Sequence, residues 1–88
     1  MIMEREEIKT KTIEVIANLR GIEPTTIHED LILESDLGMD SLDMIETIMA
    51  LENIFNMGVP DDEVLRKEMS LREFINHIEI IINETRKG

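Results

Sequence analysis

A chain of 88 residues with no cysteine carries 20 Asp and Glu against 9 Lys and Arg, a net charge of −11. That length is expected to make one small domain over 1–88 with a thin core, and without cysteine neither a disulfide framework nor a thiolate metal site can brace it, which leaves regular helix packing. Dense negative charge repels phosphate backbones and argues against nucleic acid, and no apolar run approaches a membrane span. The start of the chain, broken by Glu4, Arg5, Glu6 and Glu7, does not read as a secretory signal, so a cytoplasmic protein is expected, and the charge of −11 on so small a body favours a monomer.

The apolar residues are mainly Ile, Leu and Met, with only Phe55 and Phe74 as aromatics, a bias toward helix over strand. The spacing of Ile8, Ile13, Val15, Ile16 and Leu19 predicts a first helix at about 4–19, with Gly21 as a left-handed stop. From 21 to 40 no period is sustained. Pro24, Thr25, Thr26, Ser35 and Gly38 alternate with isolated aliphatics at Ile27, Leu31, Leu33 and Leu37, which predicts a long loop pinned to the core by those side chains.

A second helix is expected at about 41–55, with Asp40 as N-cap and Asp43 completing a box-like, dipole-favourable start. Met44, Ile48, Leu51 and Phe55 have the spacing of a core seam, whereas Leu42, Ile45 and Met49 form a second stripe beside Asp43, Glu46 and Glu52. That stripe fits either a wide buried arc or a contact face. Asp61, Asp62 and Glu63 open a short helix at about 61–66. Ser70 and Glu73 form a capping box for a last helix at about 71–85, whose apolar face is Leu71, Phe74, Ile75, Ile78 and Ile82. The fold class is all-α: a four-helix bundle of three long helices and one short, with a long loop between the first two.

The charge is unevenly spread. Between Arg20 and Arg66 there is no Lys or Arg, while Glu23, Glu29, Asp30, Glu34, Asp36, Asp40, Asp43, Glu46, Glu52, Asp61, Asp62 and Glu63 all fall there. Such a surface is either solvated for solubility or steers basic proteins toward it. Nucleophilic triads need a base near the nucleophile, and the only histidines are His28 in the loop and His77 on the last helix, the latter an ordinary surface or helix-end position. The acidic loops lack the ligand spacing and glycine of an EF-hand. Neither catalytic residues nor a metal site is expected.

One position differs from these. Ser41 follows Asp36-Leu37-Gly38-Met39-Asp40 and precedes Leu42-Asp43, in the first turn of a long helix, where the dipole favours a phosphate. The same place is also an ordinary one for serine. The stretch from Asp36 to Leu42 resembles the acyl carrier protein family, whose signature is Asp-Leu-Gly-x-Asp-Ser-Leu at the start of the second helix. The likeness continues through Glu46, Met49, Ala50, Leu51, Glu52, Phe55 and Val59-Pro60-Asp61, and the helix order matches over nearly the whole chain.

The resemblance implies that Ser41 receives a 4'-phosphopantetheine arm from coenzyme A through a phosphopantetheinyl transferase (holo-acyl carrier protein synthase), and that the arm's thiol holds acyl groups as thioesters. A carrier of this kind is not an enzyme and needs no cysteine of its own. Asp40, Leu42, Asp43, Ile45, Glu46, Met49 and Glu52 match the family's recognition helix, which implies docking to acyltransferases, ketosynthases or ligases with basic surfaces. An acyl chain would be expected between the second and third helices, with Met44, Ile48, Val64 and Leu65 as candidates.

Departures from the pattern bear on cargo. Thr47 stands where fatty-acid carriers have a buried aliphatic, Asn53 and Ile54 replace acidic residues, and Asn56-Met57-Gly58 replaces a more acidic segment. The 66–69 segment is one residue longer, and the last helix runs on through Ile80, Ile81 and Ile82. They open the cargo to fatty-acid, lipid or specialised biosynthesis. The alternatives are a D-alanyl or aminoacyl carrier loaded by an adenylating ligase, and an acidic helical interaction module with Ser41 unmodified.

Overall fold

The computed structural model describes residues 4–58 and 66–87. Among them are three α-helices, α1 (Arg5–Arg20), α2 (Ser41–Phe55) and α3 (Leu71–Lys87), with a 3-10 turn at Pro24–Thr26. The short helix expected at about 61–66 falls on 61–65, outside the described residues, and Arg66 is not helical. The bounds of the three long helices otherwise match the expected ones within one or two residues.

Helix α1 ends as its sequence dictates. Gly21 adopts φ 67°, ψ 37°, which a side chain would resist, and Ile22 N–H closes back onto Ala17 O at 3.0 Å. Its buried face runs Ile8, Thr12, Ile16 and Ala17. Of the five positions that the spacing marked, Ile8 and Ile16 are buried, whereas Ile13, Val15 and Leu19 are half-buried. Ile13 and Val15 only flank the core, and the residue between Ile8 and Ile16 on the buried stripe is Thr12, fully enclosed. Helical geometry puts i, i+4 and i+8 in line, so the stripe follows from spacing even where the middle residue is polar.

The 21–40 segment is a loop, anchored as expected through Ile27, Leu33 and Leu37, all buried, and Leu31, packed against the core. Met39, 1% exposed, is a further anchor that the pattern did not mark. Backbone pairing with the start of α3 adds to this. Ile32 and Ser70 form an antiparallel bridge, flanked by Leu33 N–H to Met69 O (3.1 Å), Glu34 N–H to Lys67 O (2.8 Å), Leu71 N–H to Leu31 O (2.8 Å) and Arg72 N–H to Glu29 O (2.9 Å). The loop thereby satisfies backbone groups that burial would otherwise leave costly.

Helix α3 buries all five expected residues, Leu71, Phe74, Ile75, Ile78 and Ile82, while Ile80 faces out. Glu73 N–H donates to Ser70 Oγ at 3.2 Å, the serine half of the expected capping box. Near its other end Thr85 Oγ1 accepts from Gly58 N–H at 2.9 Å, tying the segment after α2 to α3. The segment turns there because Asn56 takes a left-handed conformation, φ 52°, an accessible role for Asn.

Charge pairing draws α1, the loop and α3 together at one site. Glu29 accepts from Arg5 at 2.8 Å and lies 3.2 Å from Lys9 and 3.9 Å from Arg72, which also holds Asp30 at 2.6 Å. The Arg5 hydrogen bond, with Lys9 beside it, holds the Glu29 carboxyl below its ordinary range against the opposing effect of burial.

Candidate functional site

The site starts with a turn whose every signature residue has a local task. Asp36 Oδ2 accepts from Ile32 N–H at 2.7 Å, folding the turn over itself. Leu37 enters the core. Gly38 sits at φ 67°, and a Cβ there would stand 3.2 Å from Arg20 Nη2. Two constraints, a left-handed backbone and an adjacent guanidinium, thus meet at one residue.

Asp40 then caps α2 and Asp43 completes the box: Asp43 N–H donates to Asp40 Oδ1 at 2.8 Å, and Asp40 N–H donates to Asp43 Oδ2 at 3.0 Å. The hydrogen bond from Asp43 N–H is the main reason the Asp40 carboxyl lies below its ordinary pKa. Ser41, the first helical residue, is held between these two carboxylates and is exposed. Its surroundings suit a large flexible substituent, which needs a reachable hydroxyl on a rigid base. One N–H of this helix end is already engaged, since the Asp43 N–H belongs to Asp40.

Beyond the first turn, α2 divides sharply. Met44, Thr47, Ile48, Leu51 and Phe55 are buried, whereas Leu42 is 61%, Ile45 44% and Met49 57% exposed. The second stripe is therefore an outward face and no part of a wide buried arc. Glu46 is exposed beside it and Glu52 half-buried. Asp43 differs from the other acids: its side chain is 15% exposed and it meets Arg20 Nη1 at 3.3 Å. Sequence reasoning did not mark Arg20, because 23 positions and an irregular loop separate it from Asp43 and no periodicity spans them.

Thr47 is fully buried with its hydroxyl donating to Asp43 O at 2.8 Å, so a polar residue occupies an apolar position without leaving its oxygen unpaired. Of the residues considered for an acyl chain, Met44 and Ile48 lie in the core, and Val64 and Leu65 fall outside the described residues. An open groove of about 350 Å³ runs between α1 and α2, lined by Val15, Asn18, Leu19, Glu46 and Ala50. Among the described residues no cluster of His, Asp and Glu could hold a metal ion, and no helix is long and apolar enough to cross a membrane.

Residues 11–78 match the family model described as "Phosphopantetheine attachment site". This defines the chain as a carrier, not an enzyme, whose working group is a covalently attached 4'-phosphopantetheine. Acyl carrier protein of Rubrobacter xylanophilus is 36% identical over 76 residues, 86% of this chain and 93% of that one. Acyl carrier protein of Clostridium acetobutylicum is 41% identical over 68 residues, 77% and 87% of the two chains. A mitochondrial acyl carrier protein of Arabidopsis thaliana is 33% identical over 61 residues, 69% of this chain and 48% of that one. The chain belongs to the acyl carrier protein family.

Proposed function

We propose that Ser41 carries the 4'-phosphopantetheine arm and that the outward face of α2 delivers the arm's cargo to partner enzymes. The observation that carries this reading is the exposed position of Ser41 as the first residue of α2, at a helix start fixed by the reciprocal Asp40–Asp43 cap. A tether needs such a base: the arm moves while its root does not. Bound to Ser41 through a phosphodiester, the arm supplies the thiol that this cysteine-free chain lacks.

Asp40 and Glu46 flank an apolar stripe of Leu42, Ile45 and Met49, with Glu52 further along. Acidic residues around a small apolar patch suit brief, salt-sensitive contacts with basic surfaces, which release as readily as they form. Partners in this reading are a phosphopantetheinyl transferase for loading and acyltransferases, ketosynthases or ligases for use. The carrier works as a monomer in the cytoplasm, where its charge opposes self-association. Acyl rather than aminoacyl cargo is supported by the names of the relatives, each an acyl carrier protein.

Intact mass tests the attachment. Incubated with coenzyme A and a phosphopantetheinyl transferase, the wild type should gain one phosphopantetheine and Ser41→Ala none. An unmodified wild type, or a modified Ser41→Ala, refutes the assignment to Ser41. The mass carried by protein purified from its own host identifies the cargo.

A further inference from the structure

Arg20 ends α1, on the far side of a long loop from α2, yet its guanidinium reaches Asp43 at 3.3 Å. The backbone makes room for it. Gly38 has no side chain where a Cβ would come within 3.2 Å of Arg20 Nη2. Asp43 is thereby held twice on one oxygen, Oδ2, by Arg20 and by Asp40 N–H, and its side chain is only 15% exposed. Among the described residues Glu46 and Glu52 have no ion-pair partner, and Asp43 is the one α2 carboxylate that those residues pair with a cation.

We propose that Arg20 is a specificity-determining positioning residue: by holding Asp43 it withdraws that carboxylate from the α2 face, leaving Asp40 and Glu46 as the charges a basic partner reads beside Ser41. The proposal rests on the docking face described under the proposed function. Its physical basis is an exchange argument. A partner's Lys or Arg approaching Asp43 must displace Arg20 from an existing pair, which gains little, whereas the same cation at Glu46 meets a carboxylate with no ion-pair partner. Arg20 acts on docking and not on the reacting atoms, so its influence belongs to KM and salt dependence and leaves kcat alone.

The test is transfer of phosphopantetheine from coenzyme A to the apo protein by a phosphopantetheinyl transferase, with KM and kcat measured over a range of NaCl. Arg20→Gln frees Asp43 and should lower KM roughly two- to fivefold at low salt, with a steeper salt dependence and an unchanged kcat. Arg20→Lys should restore the wild-type KM. Combining Arg20→Gln with Asp43→Asn should cancel the gain. Lys11→Gln removes the same charge from the exposed side of α1 and should leave KM unchanged.

An equal KM drop in Lys11→Gln attributes the effect to net charge and overturns the proposal. So does an unchanged or raised KM in Arg20→Gln, or a gain that survives Asp43→Asn. If Arg20→Gln fails to fold, single variants decide: Glu46→Gln should raise KM more than Asp43→Asn, and the reverse order overturns the proposal. A wild type that takes up no phosphopantetheine, or a Ser41→Ala that does, sinks the attachment reading and this proposal with it. Normal modification with no Arg20 effect sinks the proposal alone.

Discussion

Asp40 and Asp43 each accept a hydrogen bond from the other's backbone N–H, at 2.8 and 3.0 Å, with Ser41 between them. This reciprocal cap keeps the first turn of α2 from fraying at the residue proposed to bear the arm. Asp40→Ala should lower Tm and weaken far-UV circular dichroism, while Asp40→Asn, which keeps an oxygen acceptor, should retain most of the stability. The folded pKa of Asp40 lies below its ordinary 3.8, so its contribution is present above that pH and is lost as pH falls through the folded value. In Asp40→Asn the Tm should depend less on pH below about 3.8.

Gly38→Ala and Gly21→Ala separate backbone strain from crowding. Both glycines have φ 67°, but a Cβ at Gly21 meets nothing within 4 Å and one at Gly38 meets Arg20. Gly21→Ala should cost about 1 kcal/mol from conformation alone. Gly38→Ala should cost more and should also displace Arg20 from Asp43. Urea denaturation gives the two stabilities, and removing Arg20 first should bring their costs together.

Acid should expose the Glu29 clamp. Its folded pKa is lowered by Arg5 and Lys9 below the ordinary 4.5, so the unfolded chain takes up the proton first as pH falls. Stability from Glu29 is therefore present above about 4.5 and is lost as pH falls through the folded value. Glu29→Gln should lower Tm by roughly 2–6 °C at pH 7, and the gap from wild type should close in acid.

Thr12→Val should stabilise the protein by about 1 kcal/mol. Thr12 is fully buried in the α1 seam and its Oγ1 has no hydrogen-bond partner among the described residues, so an apolar side chain of the same shape removes a desolvation cost. Thr47→Val should gain less, because it gives up the bond to Asp43 O. On α3, Ile78→Ala should cost about 2–5 kcal/mol and Ile80→Ala within about 0.5 kcal/mol, since the first is fully buried and the second is 55% exposed. Urea midpoints compare all four.

Glu46→Lys reverses a charge on the proposed docking face without touching the core. Turnover with a partner enzyme should fall at low salt, with the difference shrinking as NaCl is added and Tm nearly unchanged. Equal rates at low salt would remove Glu46 from the docking surface.

Much of the fold was readable from spacing because helices repeat. The five buried residues of α3 and the Met44–Ile48–Leu51–Phe55 seam of α2 follow from a period that any helix imposes on its own face. Ser41 and its cap were readable for a different reason: Asp40 and Asp43 act within one turn, and local hydrogen bonds need no tertiary context. The expectation weakened wherever polarity and burial disagreed, as at Thr12 and Thr47, because burial depends on neighbours and not on the residue alone.

By itself the amino-acid order determined an all-α class, the stop of the first helix at Gly21, and a capped helix start at Ser41, since each follows from contacts within a few residues. Only the tertiary structure decided that the Leu42–Ile45–Met49 stripe faces outward, that the 21–40 loop pairs with the start of α3, and that Arg20 closes on Asp43. Those are relations between segments far apart in the chain. Their distances are set by how the helices pack, which no local pattern encodes.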